Sequence, residues 1–479
     1  MDLNKIKLDR RGLLKAAGMG VAATGLSGPI MSALANAGSV AGTAKLGKDG
    51  KRLLPWSNWS GSQTSLPSLR LAPGSEDELI DMVKTSTQTI RCVGAGHSFN
   101  GLVPTDDTLM TLARMRGLES VNLETQEANI WAGTQLGEIG EPLWEHGLAM
   151  INMPDINVQS LAGAIGTSTH GTGKHLGSIS STVTSLRLVT ANGELMECSA
   201  DKNSDLFQAA RTSLGSLGVV SQARLQTQDA YNLRERTWFV PLEEGLDQIE
   251  DYRDNHRNYE AYFFPHGDYM MHITQEEIGG DIPSIIAGAP SDGYETFRQI
   301  SEVIDYVPMF MYSTLMNFGL RAELEGVEIK EGRSYQVYPT VRDMRFNEME
   351  YSIPAEHGVD CIREILATIK KLNIDIIFPM EYRYVPADDI WLSPFYGRDT
   401  CAISCHQFHD RDYKPYFAEI EPIFHKYEGR PHQGKLHTLS APDFAALYPK
   451  WDDFLEVRQE IDPEGKFLNS FLKRVLGVA

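Results

Sequence analysis

From about Leu71 the apolar positions fall into short, regular runs. Ser75-Glu76-Asp77-Glu78 has the form of a capping box, and Leu79, Ile80 and Val83 then share one helical face, so a helix starts there. Thr89 to Gly94 predicts a short strand running into a glycine turn, Asn129 to Ala132 a second strand, and Leu136 to His146 a helix that Gly147 ends. Ser185 to Ala191 alternates as a strand, Asn192-Gly193 is a strong turn signal and Glu194 to Cys198 returns, which predicts a hairpin. Asp205 to Arg211 reads as a helix, and the glycine-rich Leu214 to Val220 leads into a strand reaching Thr227. Short helices mixed with short strands in this way predict an α+β fold.

From about Tyr231 the alternations lengthen, as in "EAYFFPHGDYMMHIT" and "GVDCIREILATIKKLN", which marks a second domain. The end of the chain, Ala441 to Gly477, predicts one long helix over "FAALYPKWDDFLEVRQEI" and a turn at Asp462-Pro463-Glu464-Gly465. The first 37 residues stand apart. Asp9-Arg10-Arg11-Gly12-Leu13-Leu14-Lys15 is a twin-arginine pattern, a mild apolar stretch follows, and Ala35-Asn36-Ala37 supplies a cleavage site. The expectation is export to the periplasm by the twin-arginine machinery, with the signal cleaved near Ala37. That route carries folded proteins, which suits a chain that takes up a prosthetic group before it leaves. No other run is long enough to span a bilayer. The Met and aromatic content of Val307 to Phe318 suits core or inter-domain packing, with contact to a membrane or a quinone as the other reading.

At 479 residues the chain has room for two domains. A formal charge of -20 without any run of Lys and Arg argues against a nucleic-acid partner, and an anionic membrane surface would repel the protein. The five cysteines are odd in number and lack metal-site spacing, so they are expected to be thiols, mostly buried, with no metal site.

Candidate chemistry begins at "RCVGAGHSFNG", Arg91 to Gly101. Gly94-Ala95-Gly96 can bring backbone amides close to a diphosphate. A Rossmann reading fails, because the third glycine of G-x-G-x-x-G and the acidic residue about 20 positions on are both missing. His97 alone could simply cap the turn. A second segment, "QSLAGAIGTSTHGTGKHLGSI", interleaves glycines with the hydroxyls of Thr167, Ser168, Thr169 and Thr172, and a third, "GSLGVVSQARL", can lay an apolar strand edge against a ring. Three separated cradles imply an extended ligand such as a dinucleotide. Within "IDIIFPMEYRYVP", Glu381 and Arg383 stand two apart on a strand and so share a face, either projecting into one cavity or forming a surface ion pair.

The patterns G-x-G-H-S, A-G-x-x-x-x-x-T-H-G-T-G and G-x-L-G-V-V resemble the PCMH-type FAD-binding domain of the vanillyl-alcohol oxidase superfamily. "HQGKLHTLSAPDFAALYPKWDDFLEVRQEIDPEGKFLNSFL" resembles the end of its sugar-lactone and alditol oxidase branch, which holds the D-arabinono-1,4-lactone and L-gulonolactone oxidases. The likeness covers about residues 64 to 230 and 375 to 475. After the expected signal at 1–37 and a mature N-terminal segment at 38–63, it implies a two-subdomain FAD-binding domain at 64–230, an α+β cap over the substrate at 231–440, and a C-terminal segment, 441–479, that returns to the flavin site.

By the same resemblance FAD is bound covalently through His97. The cofactor contacts implied are Gly94, Ala95, Gly96 and Ser98 in the first cradle, then Gly163, Thr167, Thr169, His170, Thr172, Gly173, Gly177, Ser178 and Ile179, then Val220. On the substrate side Arg383 and Lys435 would stabilise a developing alkoxide and the reduced flavin, and Glu381 would hold Arg383 and accept hydrogen bonds from substrate hydroxyls. His406 and His437 are further contacts. The expected substrate is a small carbohydrate-like molecule, a sugar lactone or an alditol. Oxygen, a quinone or a cytochrome would accept the electrons. Ala164 stands where alditol oxidases carry a serine, which favours a lactone. A non-catalytic exported binding protein on this fold is the competing class; it predicts loss of at least one among His97, Glu381, Arg383 and Lys435, and all four are present.

Overall fold

The computed structural model describes residues 46, 52–282, 284–285, 297–298, 301–302, 304–324, 326–340 and 344–478; the expected signal at 1–37 lies outside them. Strands β1 (Leu69–Leu71), β2 (Ile90–Cys92) and β3 (Thr108–Met110) form a parallel sheet in the order β1-β3-β2. Helix α1 (Glu76–Thr85) starts as its sequence requires, with Ser75 Oγ accepting from Glu78 N at 3.2 Å, and it buries Leu79 and Val83 completely. The reciprocal bond of the expected capping box is missing, because the Glu78 carboxylate accepts from Gly74 N instead.

A six-stranded antiparallel sheet follows, made of β4 (Leu118–Asn122), β5 (Glu127–Trp131), β6 (Leu148–Met150), β7 (Val183–Val189), β8 (Leu195–Ser199) and β9 (Val219–Asp229). Its order is β8-β7-β9-β5-β4, with β6 on β9. The helix expected at 136–146 is a 3-10 turn, Leu136–Glu138, and then α2 (Gly140–Glu145), closed at Gly147 with φ 73°. The helices α3 (Leu161–Gly166) and α4 (Ser204–Ala210) complete this part. The β7–β8 hairpin is present, but its turn is wider than Asn192-Gly193 alone suggests. Thr190 N bonds Glu194 O at 2.9 Å, and of the two central residues only Gly193 has positive φ, so the two-residue turn that needs both cannot form.

The cap is an eight-stranded antiparallel sheet of β10 (Asn232–Pro241), β11 (Asn258–Phe263), β12 (Tyr269–Ile278), β13 (Val327–Arg333), β14 (Phe346–Pro354), β15 (Met380–Val385), β16 (Thr400–Phe408) and β17 (Arg430–Pro431). The order is β13-β10-β12-β11-β15-β16-β14-β17. Side chains alternate across a strand, and here the two sets have different destinations. Tyr259, Ala261, Met349, Tyr351, Tyr382 and Ile403 face one core that also holds the apolar stripes of α5 (Leu242–Asn255), α7 (Gly358–Leu372) and α8 (Lys414–Lys426), whereas α6 (Tyr312–Ala322) packs in a separate cluster with Phe239, Phe264 and Phe297. Burial of each such side chain stabilises the fold by roughly 1.5–3 kcal/mol. The intervening positions are left to face a cavity.

The C-terminal helix expected over 444–461 is two helices, α9 (Ala441–Leu447) and α10 (Trp451–Ile461). Pro449 disfavours helical dihedrals at the preceding residue, and Tyr448 is extended, with φ -112° and ψ 109°. The turn at 462–465 closes through Gly465 N to Asp462 O at 3.1 Å, after which Lys466 O accepts from Ile90 N at 2.9 Å and the chain ends in α11 (Ser470–Leu476). All five cysteines are free thiols, four of them buried. Among the described residues no helix is long and apolar enough to cross a membrane. The run Val307 to Phe318 divides between core and surface: Tyr312 and Met316 are buried, whereas Phe310 and Phe318 are exposed.

Candidate active site

A single cavity of about 2700 Å³, measured out to open solvent, gathers residues that the sequence keeps far apart. The whole turn from Gly94 to Ser98 lies on its wall, as do Gly163, Thr167, Thr169 and His170. Val220 joins them with Leu214, Gly215 and Gly218, so all three cradles converge. Five expected cofactor contacts do not reach the wall. Thr172 and Gly173 instead stitch their segment to the cap: Thr172 Oγ1 donates to Tyr259 O and accepts from Tyr384 N, and Gly173 N bonds Tyr384 O at 2.9 Å. Ser178 caps a 3-10 turn through Ser181 N, Gly177 packs against Ser181, and Ile179 is buried with its N–H on Thr169 O.

The glycine-lined end fits a dinucleotide. At Gly94 a Cβ would lie 2.0 Å from Ser160 Oγ, and at Gly133 it would lie 1.9 Å from Leu112 O, so the wall segments pack on their neighbours with no room for a side chain at either position. Gly96 has φ 71°, which glycine adopts without strain. Neither 94–98 nor 163–169 carries a carboxylate, so main-chain N–H groups and the hydroxyls of Thr167 and Thr169 can meet a diphosphate unopposed. Arg91, on β2, holds this end together: its buried guanidinium donates to the carbonyls of Leu102, Leu214, Gly215 and Phe467 at 2.6–2.9 Å. His97 stacks on Trp59 with centroids 4.8 Å apart. Burial, and then the nearby Lys435 charge, push its pKa down to about 4, so at neutral pH the imidazole keeps a lone pair for bonding.

The other end is built by strand register. Across β11 and β15, Glu260 stands opposite Arg383 and Tyr262 opposite Glu381; across β14 and β16, Glu348 stands opposite His406. Toward the sheet's other edge, Met271 pairs with both Tyr262 and Phe239 and gives the same face an apolar margin. The Arg383 guanidinium donates to Glu381 Oε1 at 2.5 Å and Glu260 Oε2 at 3.1 Å, and it lies 3.3 Å from Asp155 Oδ1. Tyr262 OH donates to the same Glu381 oxygen at 2.5 Å. Burial works against the Arg383 charge, but these carboxylates hold its proton more tightly than usual. Burial pushes the Glu260 carboxyl up to about 8, with Arg383 opposing and Glu381, Asp155 and Glu235 adding to the rise.

The Lys435 ammonium donates to Glu348, and His406 lies 3.5 Å from the same carboxylate while its Nδ1–H goes to Pro379 O at 2.9 Å. Burial raises the Glu348 pKa, yet Lys435 and His406 prevail and hold it down to about 2. Beside this pair, His170 Nε2 meets Glu350 Oε1 at 2.9 Å, and Ser404 donates to the other Glu350 oxygen at 2.7 Å. His432 Nδ1 accepts from Gly434 N at 3.0 Å, which leaves the hydrogen on Nε2. Potential ligand atoms of His170, Glu350 and His432 lie within 4.8 Å of one another, a grouping that could hold a metal ion, with His170 and Glu350 hydrogen-bonded to each other.

The sequence named one acid and two cations; the structure surrounds both cations with carboxylates. Asp155, Glu235, Glu260 and Tyr262 escaped notice, as did Glu348, Glu350 and His432. The signal available was alternation, in "EAYFF" and in "EMEY". His437, expected near the substrate, is off the wall against Phe444 and Phe471, where burial and then Arg474 push its pKa down to about 3. Ala164 is fully buried in the core and is not on the wall, so the hydroxyl contact argued from its position does not arise in this fold.

Residues 223–475 match the family model described as D-arabinono-1,4-lactone oxidase, and residues 67–199 match one described as FAD binding domain. The chain is 34% identical over 427 residues to an L-gulono-1,4-lactone dehydrogenase of Mycobacterium tuberculosis, covering 88% of this chain and 99% of that one. It is 28% identical to the L-gulonolactone oxidase of Bos taurus, over 89% of this chain and 99% of the relative. It is also 28% identical to a Streptomyces alditol oxidase, over 88% and 98%. Among solved structures, the cholesterol oxidase of B. sterolicum shares the fold, with TM-score 0.73 at 16% identity over 88% of this chain and 97% of that one.

Proposed function

This chain belongs to the D-arabinono-1,4-lactone oxidase family, FAD-dependent oxidoreductases acting on CH–OH donors, and from that premise we propose that it oxidises a sugar lactone with an FAD tethered through His97 in the periplasm. The observation that carries the reading is the meeting of His97 with Glu381, Arg383 and Lys435 on one cavity wall. FAD held by the three cradles supplies the hydride acceptor. The neutral His97 imidazole has the lone pair that a covalent bond to the ring requires. Arg383 and Lys435, each fixed by carboxylates, place positive charge where a substrate hydroxyl loses its proton, and Glu381 fixes both Arg383 and Tyr262. Export rests on the twin-arginine pattern at Arg10-Arg11 and the site at Ala35-Asn36-Ala37. The small-molecule panel decides the chemistry: aldonolactones and alditols are offered with a dye acceptor and, separately, with oxygen. Lactone turnover is the expected result. Turnover of alditols alone would replace the substrate assignment, and complete release of flavin by acid precipitation would overturn the covalent link.

A further inference from the structure

We infer that Asp155 and Glu235 set the charge of the molecule this cavity accepts: a neutral or ammonium-bearing polyhydroxy compound is held, and one bearing a carboxylate is refused. The inference rests on the reading above that the Glu381–Arg383 end receives the substrate. Arg383 is the cation of that end, and its contacts to Glu381, Glu260 and Asp155 offset its charge within the wall, which leaves it to a hydroxyl losing its proton in the bound substrate but gives little attraction to a ligand that arrives as a carboxylate. Glu235, on β10, adds a fourth carboxylate to the same wall and accepts from Gln275 Nε2 at 2.6 Å. Lys330 partly offsets Glu235 but is not on the wall.

Burial, with Glu381, Asp155 and Glu235 adding to it, raises Glu260 to about 8, so near neutral pH it keeps its proton. Asp155, Glu235 and Glu381 against one guanidinium still leave the wall negative. A carboxylate can accept several hydrogen bonds at once, so after Tyr262, Arg383 and Gln275 are served the wall still has acceptors for the donors of a polyol chain. A ligand carboxylate placed there meets like charge at short range in a poorly screened site, whereas an ammonium group meets the opposite. An aldonolactone is therefore distinguished from the open-chain aldonate that its own hydrolysis produces.

The test uses the flavin-loaded enzyme and three probes of one chain length, D-glucitol, D-glucamine and D-gluconate, which differ only in a terminal CH2OH, CH2NH3+ or COO−. Binding is followed by protein fluorescence at neutral pH and needs no turnover. Glucamine should bind about tenfold tighter than glucitol, and glucitol about tenfold tighter than gluconate. In Glu235→Gln the order should compress, with gluconate gaining about tenfold and glucamine losing its advantage; Asp155→Asn repeats the measurement should the first variant fail to fold. The inference falls if gluconate matches glucitol, if none of the three binds, or if the substitutions move all three constants alike. Lactone turnover with the dye is measured on the same preparations. Turnover without the charge order sinks this inference alone, and the charge order without any turnover sinks the proposed function alone.

Discussion

Arg383 carries more of the local balance than any other side chain in the cavity. Arg383→Met would leave Glu381, Glu260 and Asp155 facing one another without a cation, and breaking a buried pair in this way costs about 3–5 kcal/mol. Urea denaturation should report that loss, with lactone turnover falling at least about 100-fold in whatever remains folded. Glu260 gives the pH dependence. Its folded pKa of about 8 lies above the ordinary 4.5, so the folded state binds this proton more tightly than the unfolded chain does. The stability it contributes is full below about 4.5, declines as pH rises, and is gone above about 8. The groups facing it are Arg383, Glu381, Asp155 and Glu235. Glu260→Gln removes this contribution, so the difference in melting temperature, variant minus parent, should rise as pH goes from about 4.5 to about 8.

At the scale of elements, two glycines differ in what stands opposite them: Gly133 lines the cavity, and Gly147 closes α2 away from it. Gly133→Ala would put a methyl 1.9 Å from the main-chain oxygen of Leu112, which cannot swing away, so the purified variant should show a markedly lower ratio of flavin to protein absorbance. Gly147→Ala, at φ 73° with open space around it, should cost about 1 kcal/mol of stability and keep the parent's flavin content. The contrast separates crowding at the cradle from backbone strain. The elements that the sequence predicts correctly are those whose signals are local: α1 from its cap and periodicity, the β7–β8 hairpin from its turn, the closing turn from Asp462 and Gly465. Pro449 was an equally local signal for the break between α9 and α10, overridden by the apolar pattern on either side. The carboxylates were illegible for a different reason. Glu348 and Glu350 lie in a strand buried at all nine positions, so the alternation in "EMEY" marks two faces without telling which of them meets a cavity. Glu260 faces Arg383 across a sequence separation of 123 residues, and only strand register puts them together. His97 and Glu381–Arg383 were found because family motifs mark them.

For the whole molecule, acid should be the sensitive direction. Burial first of all lowers the pKa values of His432 and His437 from 6.5 to about 4 and about 3. The stability that comes with their neutral forms is full above about 6.5 and is lost as pH falls through those values, because the unfolded chain takes up protons that the folded chain resists. Glu348, held at about 2, adds a second loss that begins below about 4.5. Thermal melts between pH 7 and pH 4 should therefore fall steadily. His437→Phe, which removes an imidazole whose Nδ1 has no partner, should fall less steeply.

The order in which the polypeptide is made gives the Arg91 ties a further meaning. Leu102, Leu214 and Gly215 are made long before Phe467, so the nascent chain can satisfy three of that guanidinium's four carbonyl contacts before the fourth exists. A product that stops short of Phe467 lacks that last clasp on the cradle end of the pocket.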